Sequence, residues 1–248
     1  MKIALCLSGQ PRQFAAGYQC YKKFLLDKYD IDVFIHTWFT PGNYDLYEHG
    51  GKYKLDKDID KKIVDIYNPK KIIIEPQITT FYGNISNNDA SVSNFAQYSM
   101  YYSMRESNIL KKKYEDLMGF KYDVVIRSRF DSAILVDLDL SNLKDNMLYG
   151  IDAIDNPNRL CDWFLFGSSN IIDSVCELYN NIENLKNKIE VFCGEELLFT
   201  HLMDNKIEYT KLFPNTQGSS LVLIRNNAEN LRSRCWKREL DVLRLLNI

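Results

Sequence analysis

Apolar and polar positions along the chain follow two periods, and these set the predicted order of elements. Ile3-Ala4-Leu5-Cys6-Leu7 is a short apolar run without helical spacing, so Lys2–Ser8 reads as a buried strand. Ser8-Gly9-Gln10-Pro11-Arg12 breaks it with a residue that permits a tight turn and one that suits the first turn of a helix. From Phe14 to Tyr29 the apolar residues, including Tyr18, Tyr21, Phe24 and Leu25, fall at helical spacing. Ile31–His36 is a second strand and runs into Thr37-Trp38. Thr40–Leu55, with Pro41, Gly42, Gly50 and Gly51, reads as a long loop of the kind that covers a site. Asp56–Tyr67 is a polar-faced helix, and Lys70–Glu75 is a third strand stopped by Pro76. The order β-α-β-α-β predicts a mainly parallel sheet covered on both faces.

Gln77–Asp89 is polar and turn-rich, and predicts a second loop. Ser91–Leu117 carries a long helical pattern with a Met/Tyr stripe that reads as core packing. Val124-Val125-Ile126 is the apolar heart of a fourth strand. Ala133–Val136, Met147–Ile151, Cys161–Gly167, Ile207–Leu212 and Leu221–Ile224 are further apolar runs of strand length, the last ending in Arg225. Ser168 and Ser169 cap a helix expected to reach about Asn184, Leu197–Met203 forms a short helix, and an amphipathic helix closes the chain. With no repeat and no low-complexity linker, residues 1–248 read as one α/β domain, with residues 1–131 and 132–248 as its two halves.

Composition narrows the function. With 46% hydrophobic residues, 248 residues suffice for one large core. Lys and Arg number 31 against 33 Asp and Glu, a net charge of −2, which argues against a nucleic-acid binder that works through bulk charge. The six cysteines form no C-x-x-C pair, and three histidines supply no zinc spacing. Cys6 and Cys20 fall in apolar patterns and read as buried thiols, which suits a reducing cytosol. The first apolar run is too short for a secretory signal and no run is long enough to span a membrane, so a cytoplasmic location is expected. Asn84-Ile85-Ser86 is a glycosylation sequon that carries no weight in that setting.

The charge pattern locates the candidate chemistry. In YDVVIRSRFD, Tyr122–Asp131, a buried strand stops in Arg127, Arg129 and Asp131. Charges there need partners. Ligands of open α/β sheets sit at the carboxyl ends of the strands, where two arginines suit phosphate and an aspartate suits a metal or a sugar hydroxyl. A structural Arg127–Asp131 ion pair is the alternative. The strand, glycine turn and helix start around Ser8-Gly9-Gln10 can present N–H groups to a phosphate, although the turn is neither a G-x-G-x-x-G nor a Walker A loop. Asp137 and Asp139 form a literal D-x-D, but Ser141-Asn142 follow as in a surface turn, so the pair does not read as a metal site. Glu195 and Glu196 open a helix, where the dipole favours acids. Arg232, Arg234, Lys237 and Arg238 make a basic patch, read as a solvated face or a contact with an anionic acceptor or membrane surface.

Taken together, LCLSGQPRQF, DVFIHTW, YDVVIRSRFD, DWFLFGSS and GEELLFTHL resemble a group of glycosyltransferases found in bacterial surface-polysaccharide loci and in large viruses and phages. The resemblance runs from Lys2 to about Arg225 and implies a GT-A-like fold with a Rossmann-like nucleotide-sugar half. It implies that Ser8, Gly9, Gln10 and Arg12 surround the nucleotide diphosphate, and that His36 and Trp38 lie near the base or ribose. Arg127, Arg129 and Asp131 then occupy the place of the family's D-x-D, while Asp162 and Glu195 face the acceptor as candidate bases. Arg129 stands where the first carboxylate of that motif is expected. Two options follow: Asp131 binds Mg2+ or Mn2+ with phosphate oxygens and water, or the arginines neutralise the leaving diphosphate themselves. The expected partners are a nucleotide diphosphate sugar and a glycan or glycolipid acceptor. The alternatives are a sugar-phosphate nucleotidyltransferase, although SGQPRQF lacks the lysine and extra glycines of such a loop, and a non-catalytic glycan- or nucleotide-binding module.

Overall fold

The computed structural model describes residues 1–48, 51–81, 85–86, 92–152, 158–213, 220–225 and 236–247. Seven strands form the central sheet: β1 (Ile3–Gly9), β2 (Ile31–Trp38), β3 (Lys71–Glu75), β4 (Val124–Arg129), β5 (Met147–Asp152), β6 (Leu160–Gly167) and β7 (Glu208–Phe213). Their order across the sheet is β7-β5-β6-β4-β1-β2-β3. The ladders β3–β2, β2–β1, β1–β4 and β5–β7 are parallel, whereas β6 runs antiparallel to both β4 and β5. The expected α/β class with a mainly parallel sheet is therefore observed. The chain winds one way through β1, β2 and β3, then crosses back to place β4 on the other side of β1. The carboxyl ends of β1 and β4 at such a reversal are the usual ligand position in an open α/β sheet.

Helices cover both faces because β1 is buried on both. Ile3, Leu5 and Leu7 join one core with Phe14 and Tyr21 of α1 (Phe14–Tyr21) and Ile59, Ile63 and Tyr67 of α2 (Ile59–Tyr67). Ala4 and Cys6 face the other, with α3 (Val92–Met118), α4 (Ser169–Cys176), α5 (Leu178–Lys186) and α6 (Gly194–Asp204). Side chains of successive strand residues point to opposite faces, so an uninterrupted apolar run is what a doubly covered strand requires. Ala16 and Cys20 of α1 also pack against Val242 and Leu246 of α7 (Glu239–Leu246).

Several local expectations are revised. The first helix ends in a π-helical segment, Lys22–Leu26. Thr40–Leu55 and Gln77–Asp89, expected as loops, each contain an antiparallel pair: Asp45–Glu48 with Gly51–Lys54, and Thr80–Phe81 with Ile85–Ser86. The helix expected from Ser168 to Asn184 is two helices, α4 and α5, meeting at Glu177, while α6 opens at Gly194-Glu195-Glu196 as expected. Ser132–Ile134 and Leu221–Ile224 leave the main sheet and pair with each other, and Leu221–Ile224 also pairs with Trp236–Lys237. Gly50, Asn84, residues 153–157 of the Asp152–Arg159 loop, Arg232, Arg234 and Cys235 lie outside the described residues. Among the described residues, no helix is long and apolar enough to cross a membrane.

One glycine fixes how α1 meets the turn after β4. A Cβ on Gly17 would lie 1.9 Å from the carbonyl oxygen of Phe130, so α1 approaches the turn after β4 backbone to backbone. Tyr21 locks the same contact, its hydroxyl lying 2.7 Å from Ser128 Oγ and donating to the Arg129 carbonyl at 2.5 Å. Gly17→Ala is expected to lower stability by about 1–3 kcal/mol through overpacking, measured by denaturant unfolding.

Candidate functional site

The carboxyl ends of β1 and β4 meet in register: Cys6 opposes Arg127, and Ser8 opposes Arg129. Arg129 reaches the Asp131 carboxylate with two parallel bonds, Nε to Oδ1 at 2.8 Å and Nη2 to Oδ2 at 2.9 Å. Arg225 donates to Oδ2 at 2.6 Å, and Arg12 stands 3.7 Å from the same oxygen. Asp131 is thus a buried hub for three guanidiniums from different parts of the chain. Burial alone would raise its carboxyl pKa, but Arg129, Arg225 and Arg12 overcome that and hold it far below the usual carboxylate range. Arg129 is raised in turn, since the pull of Asp131 exceeds the cost of its burial.

Arg127 is arranged differently. It is 1% exposed, and Nε, Nη1 and Nη2 find no hydrogen-bond partner among the described residues. Neither the alternative structural pair with Asp131 nor any other short ion pair of Arg127 is present among them. Asp162, on the antiparallel β6, is the carboxylate that acts most strongly on it. Burial lowers Arg127 and raises Asp162, and the charge of each resists the shift of the other. Asp162 fits against the start of α6 because residue 194 is glycine: a Cβ there would fall 1.9 Å from Asp162 Oδ2. Tyr101 of α3 donates to the Gly194 carbonyl at 2.7 Å and holds that turn. Asp162 Oδ1, Gln97 Oε1 and Ser8 Oγ are likewise buried without a hydrogen-bond partner.

Such orphans are rare in native structures and mark places where water or a ligand completes the bonding. Lys111 is a buried charge that is fully partnered. At the opposite end of the sheet, the buried Lys111 ammonium lies 2.5 Å from Ser169 Oγ, 2.7 Å from Asp173 and 3.3 Å from Glu115. Arg127, Asp162 Oδ1, Gln97 Oε1 and Ser8 Oγ have no such partners among the described residues. In the cluster of Arg12, Arg127, Arg129 and Arg225 with Asp131 and Asp162, four guanidiniums against two carboxylates leave an excess of positive charge.

The Ser8–Arg12 turn is held from behind. Gly9 has φ 103°, the left-handed side of conformational space that favours glycine. Its N–H donates to Ser103 Oγ at 2.7 Å, and its carbonyl accepts from Thr37 Oγ1 at 2.8 Å. Gln10 and Arg12 are half-buried on the turn. His36 and Trp38, expected beside a base or ribose, are buried behind it. The His36 ring packs edge-on to Trp38 at 4.7 Å, and Trp38 stacks on Tyr102 at 5.4 Å. Both side chains are buried, and these ring contacts set them behind the turn; Trp38 Nε1 finds no hydrogen-bond partner among the described residues. Glu195 is half-buried in the first turn of α6, and its neighbour Glu196 pairs with Arg159 at 2.5 Å.

The donor set of Asp131 does not fit a divalent cation. Both oxygens already accept from guanidiniums, and an ion there would sit among three positive charges. Asp137 pairs with Lys28, and Asp139 accepts from the Ser141 N–H and hydroxyl, as in a surface turn. Among the described residues, no group of three or more His, Cys, Asp and Glu could hold a metal. No protein-family model and no curated protein matches the chain. The functional reading rests on the geometry and on the sequence motifs.

Proposed function

We propose that this protein is a GT-A-like glycosyltransferase that moves a sugar from a nucleotide diphosphate sugar to a hydroxyl of a glycan or glycolipid. The observation that carries the reading is the guanidinium cluster, with the unpartnered Arg127, at the reversal between β1 and β4. Guanidiniums bind phosphate oxygens with paired hydrogen bonds, and a donor diphosphate brings the negative charge that the cluster lacks. In the transfer, an acceptor oxygen bonds to the anomeric carbon as the bond from that carbon to the diphosphate breaks. The electron pair leaves with the nucleoside diphosphate, where preorganised positive charge lowers the barrier most. Arg12, Arg127 and Arg129 supply that charge here, with Asp131 and Arg225 fixing Arg129 and Arg12 in place. If the sugar inverts, the acceptor proton passes to Asp162 or Glu195, the carboxyls at this end of β6 and α6. Burial raises the Asp162 carboxyl above its ordinary value, against the pull of Arg127 and Arg129.

The test is calorimetry and thermal denaturation with a panel of nucleotide diphosphate sugars, in EDTA, Mn2+ and Mg2+. One donor class is expected to bind and raise the melting temperature, by about 2.7 kcal/mol of stabilisation at a hundredfold excess over Kd. Binding is expected to persist in EDTA, because arginines rather than a metal hold the diphosphate. Absence of binding across the panel would overturn the reading.

A further inference from the structure

The N–H of Gly9 is tied to the edge of the sheet through three side chains. Gly9 N–H donates to Ser103 Oγ at 2.7 Å, Ser103 Oγ lies 2.7 Å from His36 Nδ1, and His36 Nε2 lies 2.9 Å from Glu75 Oε1. Ser103 and His36 are wholly buried, whereas the Glu75 side chain, on the edge strand β3, is 33% exposed.

The donors and acceptors give this chain one direction. A carboxylate only accepts, so the proton of a neutral His36 sits on Nε2, facing Glu75. The ring is neutral because burial pulls its pKa below the ordinary value, against the pull of Glu75. Nδ1 is then a bare acceptor and takes the Ser103 hydroxyl proton. That leaves the lone pairs of Ser103 Oγ free to receive the Gly9 N–H. The other groups around the imidazole are Trp38 from β2 and Tyr102, Arg105 and Glu106 from α3, with Arg105 paired to Glu106 at 2.6 Å. None of them replaces Glu75 at Nε2.

We propose that Glu75, His36 and Ser103 form a positioning relay that holds the Gly9 turn in its anion-binding shape. Glu75 selects the imidazole tautomer, the tautomer orients the serine hydroxyl, and the hydroxyl anchors the one residue of the turn with a positive φ. Without Glu75 the proton is free to move to Nδ1. Ser103 Oγ then faces two donors, His36 Nδ1–H and Gly9 N–H, and turns its own proton toward the His36 carbonyl at 3.3 Å. The oxygen has lone pairs for both donors, but it loses the polarisation of its short bond to Nδ1 and is shared between two N–H groups, which weakens its hold on Gly9. The inference rests on the reading of this turn as the diphosphate site, and it names residues that touch no ligand themselves.

The experiment follows amide hydrogen exchange at Gly9 by NMR and pyrophosphate affinity by calorimetry in the full-length protein. Glu75→Ala is expected to speed Gly9 exchange and weaken pyrophosphate binding, each by about tenfold, the worth of one hydrogen bond. Glu75→Gln keeps an accepting oxygen and is expected to restore both. A general structural role for Glu75 would not give this split between alanine and glutamine. Ser103→Ala should speed Gly9 exchange at least as much. Glu75→Ala lies at a partly exposed site, so its result stands even if Ser103→Ala fails to fold. Unchanged Gly9 exchange in Glu75→Ala overturns the relay, whatever the ligand. Faster exchange with unchanged pyrophosphate affinity overturns its link to binding. A wild-type protein that ignores pyrophosphate overturns the diphosphate reading and that link together, and the wild-type control alone separates this result from the other two.

Discussion

Replacing Asp131 by alanine is expected to cost about 3–5 kcal/mol of stability, a large share of the 5–15 kcal/mol typical of a folded domain. The carboxylate is buried and holds Arg129, Arg225 and Arg12 within 2.6 to 3.7 Å. Without it, the three guanidiniums lose the carboxylate they share and repel one another more strongly. Asp131→Asn keeps the shape but not the charge and is expected to lose most of the same stability. Denaturant unfolding at neutral pH measures both. The carboxyl is held far below its unfolded value near 3.9, so its contribution is fully present above that value and is lost as pH falls toward the folded value. The gap between wild type and Asp131→Asn should therefore stay constant from about pH 8 to pH 5 and narrow below about pH 4. A gap that widens in acid would show that Asp131 is not held by the arginines. A variant as stable as wild type at pH 7 would remove Asp131 from the centre of the cluster.

Much of this arrangement can be read from the sequence. Val124-Val125-Ile126 running into Arg127 and Arg129 is a buried strand ending in charge, and Ser8-Gly9 is a strand stopped by a turn. Both patterns are local, and both strands take up the expected positions side by side. Arg225 was legible in kind but not in place. Leu221–Ile224 ends in an arginine just as Val124–Ile126 does, but only folding brings it to Asp131 across 94 residues. Gly17 and Gly194 look like ordinary helix-associated glycines, and their close approaches to Phe130 and Asp162 exist only once the elements pack. Ser103 sits in a helix of tyrosines and methionines, with nothing local to mark it as the partner of Gly9. His36 and Trp38 show the opposite limit. Their residue types suit a ligand, but β2 lies between β1 and β3 with α3 packed over it, and that burial makes them supports. The antiparallel β6 was illegible because an apolar run carries no sign of its direction.

Arg127 separates a ligand-binding cluster from a structural one, because the two roles predict opposite outcomes. A structural buried ion pair, once broken, leaves a charge that destabilises the fold. Arg127 makes no such pair among the described residues: its three nitrogens lack partners, and burial already works against its charge. Arg127→Met fills a similar volume with apolar atoms and removes that cost. Asp162 loses a neighbouring cation, but burial has already raised its pKa, so it can respond by taking up a proton. The variant is therefore expected to melt at or above the wild-type temperature. Its affinity for the nucleotide diphosphate sugar found in the screen should nonetheless fall by about a hundredfold, since a buried charge-assisted contact to phosphate contributes about 1.5–3 kcal/mol. Sugar transfer should fall by at least as much, because the same guanidinium faces the charge that grows on the leaving diphosphate. Thermal unfolding and calorimetry on one sample decide the matter. Lower stability with unchanged affinity would make Arg127 a structural residue and move the diphosphate onto Arg12 and Arg129 alone.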